Sequence, residues 1–278
     1  MQLNPRYGTE PILRIEGFAG DPVALVVGQR RRFAQLLSTL DEAQWAAPSR
    51  CEGWSVQDVI THLVSTNQFW AFSIGAGLGG KPTEFLTNFD PVASPAELVA
   101  GAAPLPPAGT LAAFEETNAA LAAVAESVGD RVWTTLAEAP PGHISIGALL
   151  LHGLWDGLVH ERDVALPLGL TVVDDPDELA GSLAYAAALN LGFLASVGSD
   201  RTGALAVDTT DPDVHLVVEL DRSVRVHHGE APADAVRLTG SSVDVLEILS
   251  CRAPVPADID AADRWVFEGL STVFDQSA

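Results

Sequence analysis

Gly153-Leu154-Trp155-Asp156-Gly157-Leu158-Val159-His160 sets a carboxylate and an imidazole four residues apart. On a helix, positions i and i+4 project from one face about 6 Å apart, so Asp156 and His160 can reach one ion. A third donor, His62, lies in Val59-Ile60-Thr61-His62-Leu63. Two imidazoles and a carboxylate leave a coordination position open, the arrangement of a catalytic rather than a structural metal site. Spacing alone does not single this set out, because a chain with 7 His and 37 acidic residues contains such pairs by chance. His152 extends the stripe by one more turn, so either His152 or His62 can complete the set. His62 is preferred, since donors from two helices can surround an ion whereas three from one stripe point nearly parallel.

Working outward, the apolar spacing predicts five helices. The first covers 22–40, with Asp21 as N-cap and Pro22 at the first helical position. The second opens at Ser55, where Ser55-x-x-Asp58 resembles a capping box, and runs to about Gly75. The others cover 110–127, 145–166 and 175–197, and no strand is expected between 110 and 197. The Gly-, Pro- and Ala-rich stretch 75–109 is read as a partly helical cover over a pocket. After residue 200 the pattern changes to the alternation and β-branching of strands, at 205–208, 214–220, 223–227 and 236–240. Helical period returns at 242–249 and 261–274. The expected division is an N-terminal surface extension over 1–21, a helical bundle with the metal site over 22–200, and a small α/β domain over 201–278.

Composition narrows the function classes. A hydrophobic content of 47% with 19% charged residues describes a packed globular chain. No apolar run reaches the 18 or more residues of a membrane span, and Met1-Gln-Leu-Asn-Pro-Arg-Tyr lacks the form of a secretory leader. Two cysteines, Cys51 and Cys251, make no disulfide framework, so the cytoplasm is the expected location. A formal charge of −22 argues against nucleic acid and anionic membranes as partners. Cys51 reads as a small residue in a turn rather than a nucleophile, because a single positive neighbour is thin evidence for an activated thiol.

The segment Cys51-Glu52-Gly53-Trp54-Ser55-Val56-Gln57-Asp58-Val59-Ile60-Thr61-His62-Leu63 resembles a signature of the DinB-like, mycothiol-dependent maleylpyruvate isomerase family. There a Gly-Trp-Ser/Thr turn opens a helix whose histidine arrives about two turns later. Asp156-Gly-Leu-Val-His160-Glu-Arg-Asp163-Val-Ala-Leu-Pro-Leu-Gly169 is similar to the family's other signature, an acidic residue four before a histidine with Asp three after it. The tail from about Gly203 resembles the small, sterol-carrier-like α/β domain that follows the bundle in many members. The resemblance implies an α+β, two-domain protein: an antiparallel helical bundle, then that domain. It implies a divalent metal, zinc first, on His62, Asp156 and His160, with mycothiol as cofactor. The isomerase usually carries Glu where this chain has Asp156, and the shorter arm is expected to shift the ion or the metal preferred.

Around these donors, Asp163 can accept a hydrogen bond from a ligand imidazole and fix its tautomer; the competing reading pairs it with Arg162 or solvent. Thr66, Phe69 and Trp70 share the face of His62 and are candidates to line the pocket, against plain core packing for the two aromatics. By resemblance Arg252 reaches toward the bundle pocket, so Arg252, Thr66 and Trp70 are the candidates for thiol and substrate binding. The isomerase holds its dicarboxylate with arginines, which match carboxylates bidentately, yet there is no arginine between Arg50 and Arg131. The expected activity is isomerase or S-transferase chemistry on a small, less charged electrophile. Two rival readings are a non-catalytic metal- or small-ligand-binding protein and a thiol-free metalloenzyme of specialised metabolism.

Overall fold

The computed structural model describes residues 4–90 and 93–270. Its helices are α1 (Pro22–Leu37), α2 (Glu42–Trp45), α3 (Val56–Leu78), α4 (Ala93–Gly101), α5 (Pro107–Glu126), α6 (Ile146–Ala165), α7 (Pro176–Ser196) and α8 (Ser242–Leu249). Its strands are β1 (Leu13–Ile15), β2 (Leu136–Ala139), β3 (Gly142–Ser145), β4 (Gly203–Thr210), β5 (Val214–Asp221), β6 (Ser223–His227) and β7 (Val236–Ser241). The result is a helical bundle followed by a sheet-containing region. In the bundle α3 packs on α5, α1 on α5 and α6, and α6 on α7.

Local chemistry explains the helix starts. Asp21 accepts from the Val23 amide ahead of Pro22, and Asp175 accepts from the Asp177 and Glu178 amides ahead of Pro176. Ser55 and Asp58 form a complete capping box at the head of α3. Each satisfies backbone donors that a helix end leaves unpaired.

Helix α6 is the axis of the core. Every residue on it except His160 is buried, so its polar residues must be paired or functional. Arg30 on α1 is buried against it and donates to Asn67, Gln29 and the Gly153 carbonyl. Gly157 makes room for that guanidinium: a Cβ there would stand 1.5 Å from Arg30 Nη1. Helix α7 is, among the described residues, the one helix long and apolar enough to cross a membrane, and it is buried between α6 and the sheet.

The five-stranded sheet has the order β1-β6-β5-β4-β7, with β4, β5 and β6 antiparallel and the two outer strands parallel to their neighbours. Three expectations are corrected. Residues 1–21, expected as a surface extension, supply the edge strand β1, because Leu13 and Ile15 are buried and pair with β6. The segment 110–197, expected without strands, holds the hairpin β2–β3, whose backbone is also tied to the N-terminal segment. Residues 261–274, expected as helical throughout, give turns and a 3-10 turn at Arg264–Phe267 before becoming α-helical at 268–270, and the part of that expectation beyond 270 lies outside the described residues.

Candidate metal centre

The turn before α3 and the middle of α6 build the site. Ser49 and Trp54 are joined by a backbone hydrogen bond, as are Val56 and Ala47, which folds Trp54 back over the helix it precedes. Its ring lies 5.3 Å from that of His62, so the tryptophan of the Gly-Trp-Ser turn is a wall for the histidine. From α6, Asp156 Oδ1 lies 3.4 Å from His160 Nε2 and 3.9 Å from His62 Nε2. One donor atom from each of His62, Asp156 and His160 falls within 4.8 Å of the others.

The donor set fits a divalent ion. Asp156 Oδ2 is buried and has no hydrogen-bond partner, which is costly for a carboxylate unless something charged meets it. His160 Nδ1 lies 3.0 Å from Asp163 Oδ2, and a carboxylate accepts, so Nδ1 donates and Nε2 faces the cluster. Burial pushes the Asp156 carboxyl up, but the hydrogen bond to His62 and the nearby imidazoles outweigh it and hold it well below the usual carboxylate range. Burial also works against the His160 imidazolium, yet the hydrogen bonds to Asp163 and then Cys51, with the charge of Asp156 behind them, hold its pKa up at about 10. His62 is displaced downward by burial.

Asp163 is the node behind the centre. It is fully buried and accepts from Arg50 Nε at 2.9 Å and from Arg252 Nε and Nη2 at 2.9 and 2.7 Å. Its partners are therefore His160, two distant arginines and the Cys51 thiol, not Arg162. Arg162 instead joins Arg50 in binding Glu247 of α8. Cys51, read from sequence as a turn residue, stands 3.2 Å from Asp163 Oδ2 and 3.6 Å from His160 Nδ1. Sequence reasoning missed Arg50, Cys51 and Glu247 as neighbours of the centre. Only the position of the first two, just ahead of the Gly-Trp-Ser turn, carried any signal.

A cavity of about 260 Å³ opens beside the donors. Thr66, Phe69 and Trp70 line it from α3, and Arg252 from the segment after α8. The stretch expected as a cover does close one side, through Leu86, Phe89 and Leu98. His152 also lines the cavity but is not in the donor cluster; its Nδ1 lies 2.7 Å from the Tyr185 hydroxyl.

A profile of the mycothiol maleylpyruvate isomerase N-terminal domain matches residues 27–165, 139 of the 278 in the chain. The fold is similar to the crystal structure of the mycothiol-dependent maleylpyruvate isomerase, with a TM-score of 0.59 and 17% identity over 84% of this chain and 88% of that one. A variant of that enzyme with one histidine changed to alanine matches equally well, at 16% identity. A comparison with curated protein sequences gave no significant match. His62, Asp156 and His160 all fall inside the matched residues, and this chain belongs to the mycothiol maleylpyruvate isomerase N-terminal domain family.

Proposed function

We propose that the chain is a metal-dependent enzyme that uses a low-molecular-weight thiol, mycothiol by family, in an isomerase or S-transferase reaction on a small electrophile. The observation that carries this reading is the buried Asp156 carboxylate in the wall of a cavity, its Oδ1 facing two imidazoles and its Oδ2 without a hydrogen-bond partner. His62, Asp156 and His160 would hold the ion, zinc first, although two histidines and a carboxylate also suit Fe(II). A divalent ion in that position supplies a Lewis acid that favours the thiolate form of a sulfur ligand near neutral pH.

The chain's own residues do the rest. Asp163 holds the Nδ1–H of His160 and so aims Nε2 at the centre. Arg50 and Arg252 hold Asp163. The apolar walls from α3, α4 and α7 exclude water. Arg252 is the only Lys or Arg side chain among the described residues lining the cavity, and it spends Nε and Nη2 on Asp163. That leaves little for a dicarboxylate, which supports a less charged substrate than maleylpyruvate.

Purified protein is expected to carry one divalent ion. His62→Ala, Asp156→Ala and His160→Ala should lower metal content, while His152→Ala leaves it near the parent level. Mycothiol should change the absorption of the cobalt-substituted protein, with Cys51→Ala giving the same change. Maleylpyruvate turnover should be poor. A cobalt spectrum indifferent to thiol would favour the second reading, a small-ligand binding protein, to which the apolar cavity is also suited.

A further inference from the structure

Past the three donors the cavity runs along α6 to a histidine that the metal reading leaves idle. His152 stands one turn before Asp156, is 6% exposed and lines the cavity. The rings of Trp70, Tyr185 and Trp155 surround it, with centroids 4.7, 4.9 and 5.5 Å away. Its Nδ1 is 2.7 Å from the Tyr185 hydroxyl. Tyr185 is fully buried, and His152 is the only hydrogen-bond partner of that hydroxyl among the described residues.

The position of the proton follows from these facts. Were it on Nδ1, the phenol would accept and its own O–H would be left buried without an acceptor, at the full desolvation cost of that group. With Tyr185 donating, Nδ1 accepts, and the neutral ring carries its hydrogen on Nε2. Burial keeps the ring neutral, pushing its pKa down to about 4. Nε2 has no partner among the described residues and is not among the sealed, unpartnered atoms. It is a neutral N–H donor open to the cavity.

We propose that His152, its tautomer fixed by Tyr185, is the carbonyl-binding donor of this cavity, and that the substrate is an uncharged carbonyl compound with an apolar, ring-sized body. The walls that meet such a body are Phe69, Leu86, Phe89, Leu189 and Phe193. A cavity of about 150 Å³ holds a benzene molecule, so about 260 Å³ accommodates a ring with a short substituent. Arg252 is already engaged by Asp163, so apart from the proposed ion a carboxylate would find no free positive partner among the described lining residues and at His152 only one neutral N–H. A ketone oxygen, by contrast, loses little in trading water for that donor. The inference rests on the cavity being the substrate site of the proposed thiol chemistry. There the hydrogen bond draws electron density from the carbonyl, making the adjoining carbons the electrophile that a thiol requires.

Acetophenone and ethylbenzene, alike in shape but for the carbonyl, test it on the full-length, metal-loaded protein by calorimetry and by infrared spectroscopy of the C=O stretch. Acetophenone should bind several-fold more tightly than ethylbenzene, with its C=O band moved to lower frequency. His152→Phe should weaken acetophenone about tenfold, which is about 1.4 kcal/mol, return the band toward its position in an apolar solvent, and leave ethylbenzene binding and metal content unchanged. His152→Gln, which keeps an N–H at a similar reach, should recover part of the shift, and Tyr185→Phe should lose two- to threefold. If His152→Phe does not fold, the last two variants carry the same comparison. No binding of acetophenone, an unshifted band, or equal losses for both probes overturns the proposal. A shifted band beside a cobalt spectrum indifferent to thiol sinks the thiol enzyme and keeps the donor; a thiol-responsive spectrum with an unshifted band does the reverse.

Discussion

Asp163 accepts from four side chains, His160, Arg50, Arg252 and Cys51, without a path to water. Asp163→Asn keeps the volume but removes the charge that two guanidiniums need, and breaking a buried pair of this kind costs about 3 kcal/mol or more. It also frees the ring of His160, so the affinity for zinc should fall about 10- to 100-fold. Competition with a chelator and denaturant unfolding measure the two effects, and a variant with parental metal affinity would show that Asp163 does not orient His160. Gly157→Ala tests the same helix from its other side. The added methyl would meet Arg30 Nη1 at 1.5 Å and Gln29 Oε1 at 2.5 Å, so a loss of about 3 kcal/mol is expected in the same unfolding assay. At this scale the i, i+3 and i, i+4 relations of Asp156, His160 and Asp163 were legible because a helix fixes them. The bonds of Arg50 and Arg252 to Asp163 were not, since they span 113 and 89 positions in sequence, where no periodicity reaches; the place of Arg252 beside the pocket was read from the family resemblance alone.

The helices were legible for a related reason: their caps are local. Asp21-Pro22, Ser55-x-x-Asp58 and Asp175-Pro176 each decide a start within four residues. The β2–β3 hairpin escaped because its residues, all but Leu136, are buried, which erases the alternation that marks a strand with one wet face. The sign of its presence sits in another element, at Gly77 of α3, where a Cβ would meet the Leu136 carbonyl at 2.2 Å. The docking of α8 is equally non-local and rests on Glu247, which binds Arg50 and Arg162 together. Burial pushes the Glu247 carboxyl up, but Arg50 and Arg162 outweigh it and leave it lowered. The stabilisation is then fully present above the unfolded pKa, near 4.3, and is lost as pH falls through the lower folded value. Stability from this group should be flat between pH 7 and 5 and decline below about 4.3. Glu247→Gln should cost about 1–3 kcal/mol at pH 7 and flatten the decline in acid. Denaturant melts at pH 7 and pH 3.5 separate the two curves, and identical acid slopes would remove Glu247 from the interface.

For the whole molecule, the bundle and the segment after α8 share the walls of the cavity. Trp155 Nε1 on α6 donates to Ser250 Oγ, and Asn190 on α7 bonds both the Leu249 carbonyl and the Leu270 amide. We propose that 22–200 and 201–278 unfold as one unit rather than as separable domains. The N-terminal segment strengthens that expectation. Ile12 donates to the His143 carbonyl of the hairpin and accepts from the Val224 amide of β6, while Arg6 exchanges backbone hydrogen bonds with Pro141 and His143. One short stretch thus ties the bundle's hairpin to the edge of the sheet. Removing residues 1–21 deletes three buried aliphatic side chains, Ile12, Leu13 and Ile15, at about 2 kcal/mol each as an upper figure. At about 2–4 °C per kcal/mol for a chain of this size, the midpoint of thermal unfolding should fall by up to roughly 12–24 °C. None of the three metal donors lies in the deleted segment, so the shortened protein should still take up one ion per chain. Calorimetry decides the matter: a single lowered transition fits the strap, an unchanged midpoint means β1 contributes nothing, and two separated transitions would show bundle and sheet to be independent.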